Sequence, residues 1–434
     1  MLILFGKTAL SWHCRFCVPS PMNSFSNFNY LHPMRIISRT VIILSLVSLL
    51  ADIASEMLYP VIPVYLQEIG FSVLLIGLLE GVVSLTAGLS KGYFGKLSDE
   101  KGLRLPFVKL GYLLGALSKP LMAVFTSPIW VFLVRTTDRL GKGIRSGARD
   151  ALLSAEATPA TKARVFGFHR GMDTIGAAVG PVLALIFLFF YPGSYTTLFY
   201  LAFIPGILSV LLIFLLKEKR KPVSTLGRGN FFSFFGYWKI ASPEYRKLVP
   251  ALLVFALFNS SDVFLLLLTK SSIGSESVTI AGTVFNADSI TIAAYIFYNL
   301  VYALAAYPMG SMADKLGFRK TVLLGFFLFA VVYGGFAASP SITLIFVLFA
   351  IYGVYAAATE GVIKAWITNL SGKENTATAI GFYSSCESIS AFFASLIAGA
   401  IWTGWGSSAS FLISSLIAIV ICIYIFLYVR DPKT

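Results

Sequence analysis

The sequence predicts an all-α membrane protein: twelve transmembrane helices arranged as two pseudo-symmetric six-helix bundles. Three observations predict it. Of the 434 residues, 57% are hydrophobic and only 12% are charged, with a mean hydropathy of +0.81, more apolar side chain than a water-soluble domain could cover with polar surface. Apolar runs long enough to cross a hydrocarbon core of about 30 Å recur from Ile36 to the C-terminus, separated by short polar or Gly/Pro-bearing breaks. Finally, a polar segment near residue 95 returns near residue 310, and two copies of one segment mean two related halves.

Taken in order, residues 1–35 have mixed composition, with a Ser/Asn/Phe-rich stretch through Tyr30 and no clear small-residue cleavage site. They read as an N-terminal cytoplasmic extension rather than a secretory signal, either disordered or upstream of the working start at Met34. The first bundle follows at 36–216, with spans centred near Leu46, Leu85, Leu114, Thr137, Val179 and Val210. A cytoplasmic linker at 217–246 joins basic residues to Phe231, Phe232, Phe234, Phe235, Tyr237 and Trp238, a composition suited to the membrane surface. The second bundle, 247–430, has spans centred near Ala256, Tyr298, Phe329, Tyr352, Ala391 and Ile419.

The formal charge of +14 raises the possibility of a nucleic-acid partner, but its distribution argues for a bilayer. Lys and Arg concentrate in alternate connections: Lys91 to Arg104, Arg145 to Arg164, Lys217 to Arg246, Lys315 to Lys320, and Lys364 with Lys373. The intervening loops at 67–72, 126–128, 191–195, 338–341 and 402–409 carry none. The positive-inside rule then places both termini in the cytoplasm and requires an even number of spans. Cys14 and Cys17 form a lone CxxC beside His13 with no second ligand pair, so no metal site is assigned. Cys386 and Cys422 lie in apolar runs as small buried hydrophobes. No GxxxxGK[ST] loop is present, no cofactor is assigned, and no GxSxG elbow marks an enzyme.

The repeat is specific. Gly95, Leu97, Ser98, Asp99, Gly102 and Arg104 match Gly310, Met312, Ala313, Asp314, Gly317 and Arg319 at an offset of 215 (310 − 95), and Gly167, Phe168 and Asp173 match Gly381, Phe382 and Glu387 at 214 (381 − 167). Gly95 and Gly310 would allow close helix approach, Gly102 and Gly317 a tight turn, while Asp99 and Asp314 could cap helix ends or pair with cations. The run GKLSDEKGLR and its copy GSMADKLGFRK resemble the signature loops of the major facilitator superfamily. That resemblance implies the facilitator fold, alternating access, and a gating role for these loops in latching the outward-facing state. RTTDRLGKGIRSGARDAL, from Arg135 to Leu152, resembles the fourth helix of a poorly characterised group of bacterial permeases. Gly171, Gly176, Gly180 and Pro181 resemble the fifth-helix glycine motif associated with proton-driven exporters, with Ala184 where a further glycine is usual.

An ionisable group at mid-membrane costs about 3 kcal/mol or more and must face a cavity or a partner. Asp52 and Glu56 are spaced i, i+4 on the first span and suit proton coupling; the alternative is an ion pair with the fourth span. Asp262, with Asn259 and Ser261, forms a polar patch on the seventh span that could face the first across a central cavity. Glu80 lines that cavity or hydrogen-bonds across a close helix contact. Asp138 and Arg139 are adjacent and point to different faces, making Arg139 the candidate cation for an anionic partner, with Arg145 and Arg149 assigned to the cytoplasmic surface. Asp173 follows His169 and Arg170 in a structural group at a helix end, with His169 solvated. Glu360 and Lys364 suit an i, i+4 structural pair. Glu387 has no local partner and is a gating or coupling candidate.

Together these residues point to a secondary active transporter that moves a small solute in the cytoplasmic membrane as a monomer. Its partners would be the lipid bilayer, the solute, and protons or another coupling cation, with no nucleic acid, and export is placed ahead of import. A non-transporting receptor or scaffold and a membrane-embedded enzyme are the competing classes.

Overall fold

The computed structural model describes residues 37–431, apart from residues 60, 72, 219–229, 274–277, 281–282, 286 and 339–340. The proposed extension at 1–35 and the most basic part of the linker therefore lie outside the described residues. The first half comprises α1 (Arg39–Glu56), the short α2 (Ile62–Glu68), α3 (Val73–Lys101), α4 (Leu105–Leu121), α5 (Pro128–Ala155), α6 (Lys162–Phe190) and α7 (Tyr195–Ile213). A 3-10 turn (Phe231–Gly236) and α8 (Tyr237–Ile240) follow. The second half comprises α9 (Pro243–Phe258), α10 (Asp262–Ile273), α11 (Ala287–Leu316), α12 (Phe318–Ala337), α13 (Ile342–Leu370), α14 (Thr376–Trp405) and α15 (Ser407–Tyr428).

All twelve predicted span centres fall inside helices, and among the described residues seven spans are both long and apolar enough to cross a membrane on those grounds alone. Lipid is the solvent for the outer surface: Phe189 is 79% exposed, Leu304 70% and Val420 63%, values natural only where hydrocarbon covers them. Two departures from the sequence reading occur. The seventh span breaks at Asn259–Ser261 into α9 and α10, where polar side chains reach neighbouring helices: the Asn259 amide donates to Tyr355 Oη at 3.2 Å, and Ser260 Oγ lies 3.3 Å from Tyr333 Oη. A two-stranded hairpin, β1 (Val278–Ile280) with β2 (Thr283–Phe285), also interrupts the connection from α10 to α11, pairing Thr279 with Val284.

The duplication governs both local and long-range structure. Ser127 caps α5 by accepting from Trp130 N, and Ser341, 214 residues later (341 − 127), caps α13 by accepting from Leu344 N. Gly102 and Gly317 both have positive φ, 62° and 99°, which turns the chain at once into α4 and α12. The halves meet along two seams, α3 with α14 and α6 with α11. A Cβ on Gly95 would lie 2.5 Å from the Ala377 carbonyl oxygen, and one on Gly381 2.5 Å from that of Lys91. The second seam repeats the arrangement, with Gly310 on the Ala163 carbonyl and Gly167 on that of Ala306. Small residues let backbones touch where no hydrophobic drive exists between helices.

Candidate functional site

Both signature loops sit on one end of the molecule, here termed the basic face. Each carboxylate caps a helix of the opposite half. Asp99 accepts from Thr378 N at 2.7 Å and from the Thr378 hydroxyl at 2.9 Å, at the start of α14, and is held by the Arg104 guanidinium at 3.0 Å. Asp314 accepts from Ala163 N and Arg164 N, both at 3.0 Å, at the start of α6, and from Arg164 Nε at 2.9 Å. A carboxylate on free N–H groups at a helix N-terminus is favoured by hydrogen bonding and by the helix dipole. Arg104 also donates to the Lys373 carbonyl at 3.2 Å, across the seam. Arg319 instead donates to the Val429 carbonyl at 3.2 Å within its own half. Behind each loop a further acid closes the turn: Glu218 accepts from Arg104 N and Leu105 N, and Asp431 from Arg319 N.

Between the halves lies a cavity of about 420 Å³. Its first-half wall presents Asp52 from α1, Lys91 from α3, Lys142, Arg145 and Arg149 from α5, and Arg170 and Asp173 from α6. Phe255 and Asn259 of α9 and its end, Tyr355, Glu360 and Lys364 of α13, and Tyr383, Glu387 and Ser388 of α14 form the other wall. Asp52 is positioned by the glycine motif of α6: a Cβ on Gly176 would lie 2.7 Å from the Leu49 carbonyl oxygen and 3.1 Å from Asp52 Cβ, and one on Gly180 2.9 Å from the Ile53 carbonyl oxygen. Thus α1 and α6 touch at the level of the carboxylate. Gly171 instead approaches Ala303 of α11, and Pro181 lies inside α6.

The wall is tied together by charge. Arg149 donates from Nε and Nη2 to Asp150 Oδ1, at 3.1 and 3.0 Å, and Lys364 reaches Asp150 Oδ2 from the other half at 2.8 Å. Arg170 bridges the halves as well, ion-paired to Glu360 and donating to Tyr302 Oη at 2.6 Å. Glu360 and Lys364 therefore do not form the intrahelical pair their spacing suggested. Each reaches across the seam to a different helix, because an acid and a cation buried in the other half need them more than they need each other. Asp52 lies 4.0 Å from Arg145, whose guanidinium stacks over Tyr112 at 4.0 Å. Glu387 accepts from Tyr383 Oη at 2.8 Å.

Several expected positions change. Arg145 and Arg149 are only 6% and 8% exposed, buried along the cavity rather than at the surface. His169 is 3% exposed, beside Ser45 and Asp173, not solvated. Asp173 does gather with His169 and Arg170, and also lines the cavity. Glu56 and Arg139 line smaller cavities inside the first half, about 20 Å³ each and large enough for one water. There Asp138 pairs with Lys119 at 2.6 Å and accepts from Ser118 at 2.9 Å. Asp262 accepts from Tyr352 Oη at 2.8 Å and does not line the central cavity; of its polar patch only Asn259 does. Glu80 lies in α3, with its side chain outside what is described. The cationic face of α5 had a readable signal: Lys142, Arg145 and Arg149 are spaced i, i+3, i+7, one side of a helix.

The Major Facilitator Superfamily model matches residues 44–295 and 277–434. An uncharacterised MFS-type transporter of Methanocaldococcus jannaschii is 32% identical over 388 residues, covering 89% of this chain and 94% of its own. A class H tetracycline resistance protein of Pasteurella multocida is 30% identical over 152 residues, 34% of this chain and 37% of that one. Among solved structures, the human organic anion transporter MFSD10 shares the fold with a TM-score of 0.73 at 16% identity, covering 90% of this chain and 99% of that one. With two capped seams, a duplicated signature loop and a cavity between two six-helix halves, this chain belongs to the major facilitator superfamily.

Proposed function

We propose that this protein is a secondary active transporter that moves a small solute by alternating access, coupled to protons through Asp52. It works as a monomer in the cytoplasmic membrane, with the basic face and both termini inside, in a permease subgroup marked by the DRLGKGIR run. The observation that carries this reading is the placement of Asp52 in the wall of the central cavity, 4.0 Å from Arg145. A carboxylate there can exchange a proton with water in the cavity and register the change on a neighbouring cation. The reciprocal caps on the basic face support an arrangement closed to the cytoplasm. Export is supported by the α6 glycine motif and by the partial match to a resistance protein. The domains are taken as 36–216, 217–246 and 247–430.

The test is reconstitution of the full chain into vesicles loaded with a pH-sensitive dye and challenged with a solute panel. Solute-dependent proton flux should fall at least tenfold in Asp52→Asn, and Glu56→Gln serves as the second carboxylate variant. Unaltered flux in both variants would remove these groups from the coupling mechanism.

A further inference from the structure

We infer that the solute is an anion, carrying a carboxylate or phosphate group that binds between Lys91, Lys142 and Arg145 in the central cavity. The inference rests on the transporter reading and names the substrate class of that site. Six lining side chains are cationic and four are carboxylic. Asp150, just behind the wall, joins Arg149 to Lys364 and raises the acids to five, so cations remain in excess even with every carboxylate ionised.

The excess is localised. Arg149, Arg170 and Lys364 are held by Asp150, Asp173 and Glu360. Among the described residues neither Lys91 nor Lys142 is ion-paired; Lys91 donates to Ser388 Oγ at 3.3 Å, and Lys142 projects its exposed side chain into the cavity. Arg145 shares that wall, its guanidinium stacked over Tyr112, with its Nε buried and without a hydrogen-bond partner and its nearest ion-pair carboxylate oxygen at 4.0 Å. Three cations converging from α3 and α5 repel one another and favour an anion in their midst. The guanidinium fork matches a carboxylate or phosphate, with the two ammonium groups as point charges beside it. The facing wall adds the carboxylate of Glu387 beside the neutral Asn259, Tyr383 and Ser388, and the rings of Phe255 and Tyr355, suited to an apolar remainder. A volume of about 420 Å³ restricts the solute to a small molecule.

The test measures thermal stabilisation of the purified full chain by inorganic phosphate, succinate, benzoate, tetraphenylphosphonium and glucose at constant ionic strength, with proton flux followed in vesicles. At least one of the three anions should stabilise the protein. Its apparent affinity should fall about tenfold or more in Lys142→Gln and in Lys91→Gln, and stay unchanged in Lys247→Gln, an exposed lysine of α9. Stabilisation by tetraphenylphosphonium or glucose that survives both cavity substitutions, or by none of the anions, would overturn the inference. Proton flux driven by tetraphenylphosphonium would sink the anionic class yet leave the transporter reading standing. Anion binding lost in the lysine variants, without flux for any solute, would support the class and sink transport.

Discussion

At the scale of the residue, the most informative positions are glycines that carry no chemistry. Gly95 and Gly381 lie against backbone carbonyls of the facing half, as do Gly310 and Gly167 in the related seam. A backbone carbonyl cannot rotate away as a side chain can, so a larger residue must push the helices apart. Gly95→Val and Gly310→Val are each expected to lower stability by about 1–3 kcal/mol, measured as a drop in the thermal unfolding midpoint in detergent; a midpoint unchanged in both would refute the close-packing account. These glycines were legible because the repeat marked them twice. Asp52 and Glu387 were legible as charges in apolar surroundings. Arg145 and Arg149 were legible only in their i, i+3, i+7 spacing with Lys142, because a run as polar as DRLGKGIRSGARD otherwise reads as the end of a span. Hydropathy sums over the whole circumference of a helix and cannot register that one side of α5 faces a cavity.

At the scale of the element, α13 shows how tertiary demand overrides local spacing. Glu360 and Lys364 could have paired along their own helix for a few tenths of a kcal/mol. Instead Lys364 donates to Asp150, 1% exposed, and Glu360 meets Arg170, because an unmatched buried charge costs far more than an exposed helical pair returns. Lys364→Gln should therefore lower stability by about 2 kcal/mol, through loss of a charged hydrogen bond to a buried carboxylate, while Lys364→Arg should retain most of it. If Gln and Arg melted alike, the charge of this bridge would have no structural role. The broken seventh span follows the same logic: Asn259, whose N–H closes the last turn of α9 on the Phe255 carbonyl, and Ser260 turn their side chains to Tyr355 and Tyr333. The sequence indicated a polar patch there, but whether such a patch bends or interrupts a helix depends on partners two helices away.

At the scale of the whole molecule, duplication converts two local motifs into a mechanical pair. Asp99 on the first half caps α14 of the second, and Asp314 on the second caps α6 of the first, so in the proposed alternating-access cycle both would release as the basic face opens. Each carboxylate makes several charge-assisted hydrogen bonds, worth about 1.5–3 kcal/mol apiece, and each 1.4 kcal/mol is about a tenfold change in population. Asp99→Asn with Asp314→Asn should thus shift the balance toward the arrangement open at the basic face by tenfold or more, with each single variant doing less. Ser146 lines the central cavity and reports the shift. In a chain with Cys14, Cys17, Cys386 and Cys422 replaced by Ser, a Ser146→Cys probe should react with a membrane-impermeant maleimide added outside cells. That labelling should slow in the double variant as the outer side closes. Labelling that speeds up, or that occurs only from the cytoplasmic side in the parent chain, would reverse the assigned orientation or the assigned role of the caps, because a latch on the inner face can only favour outside access while it holds.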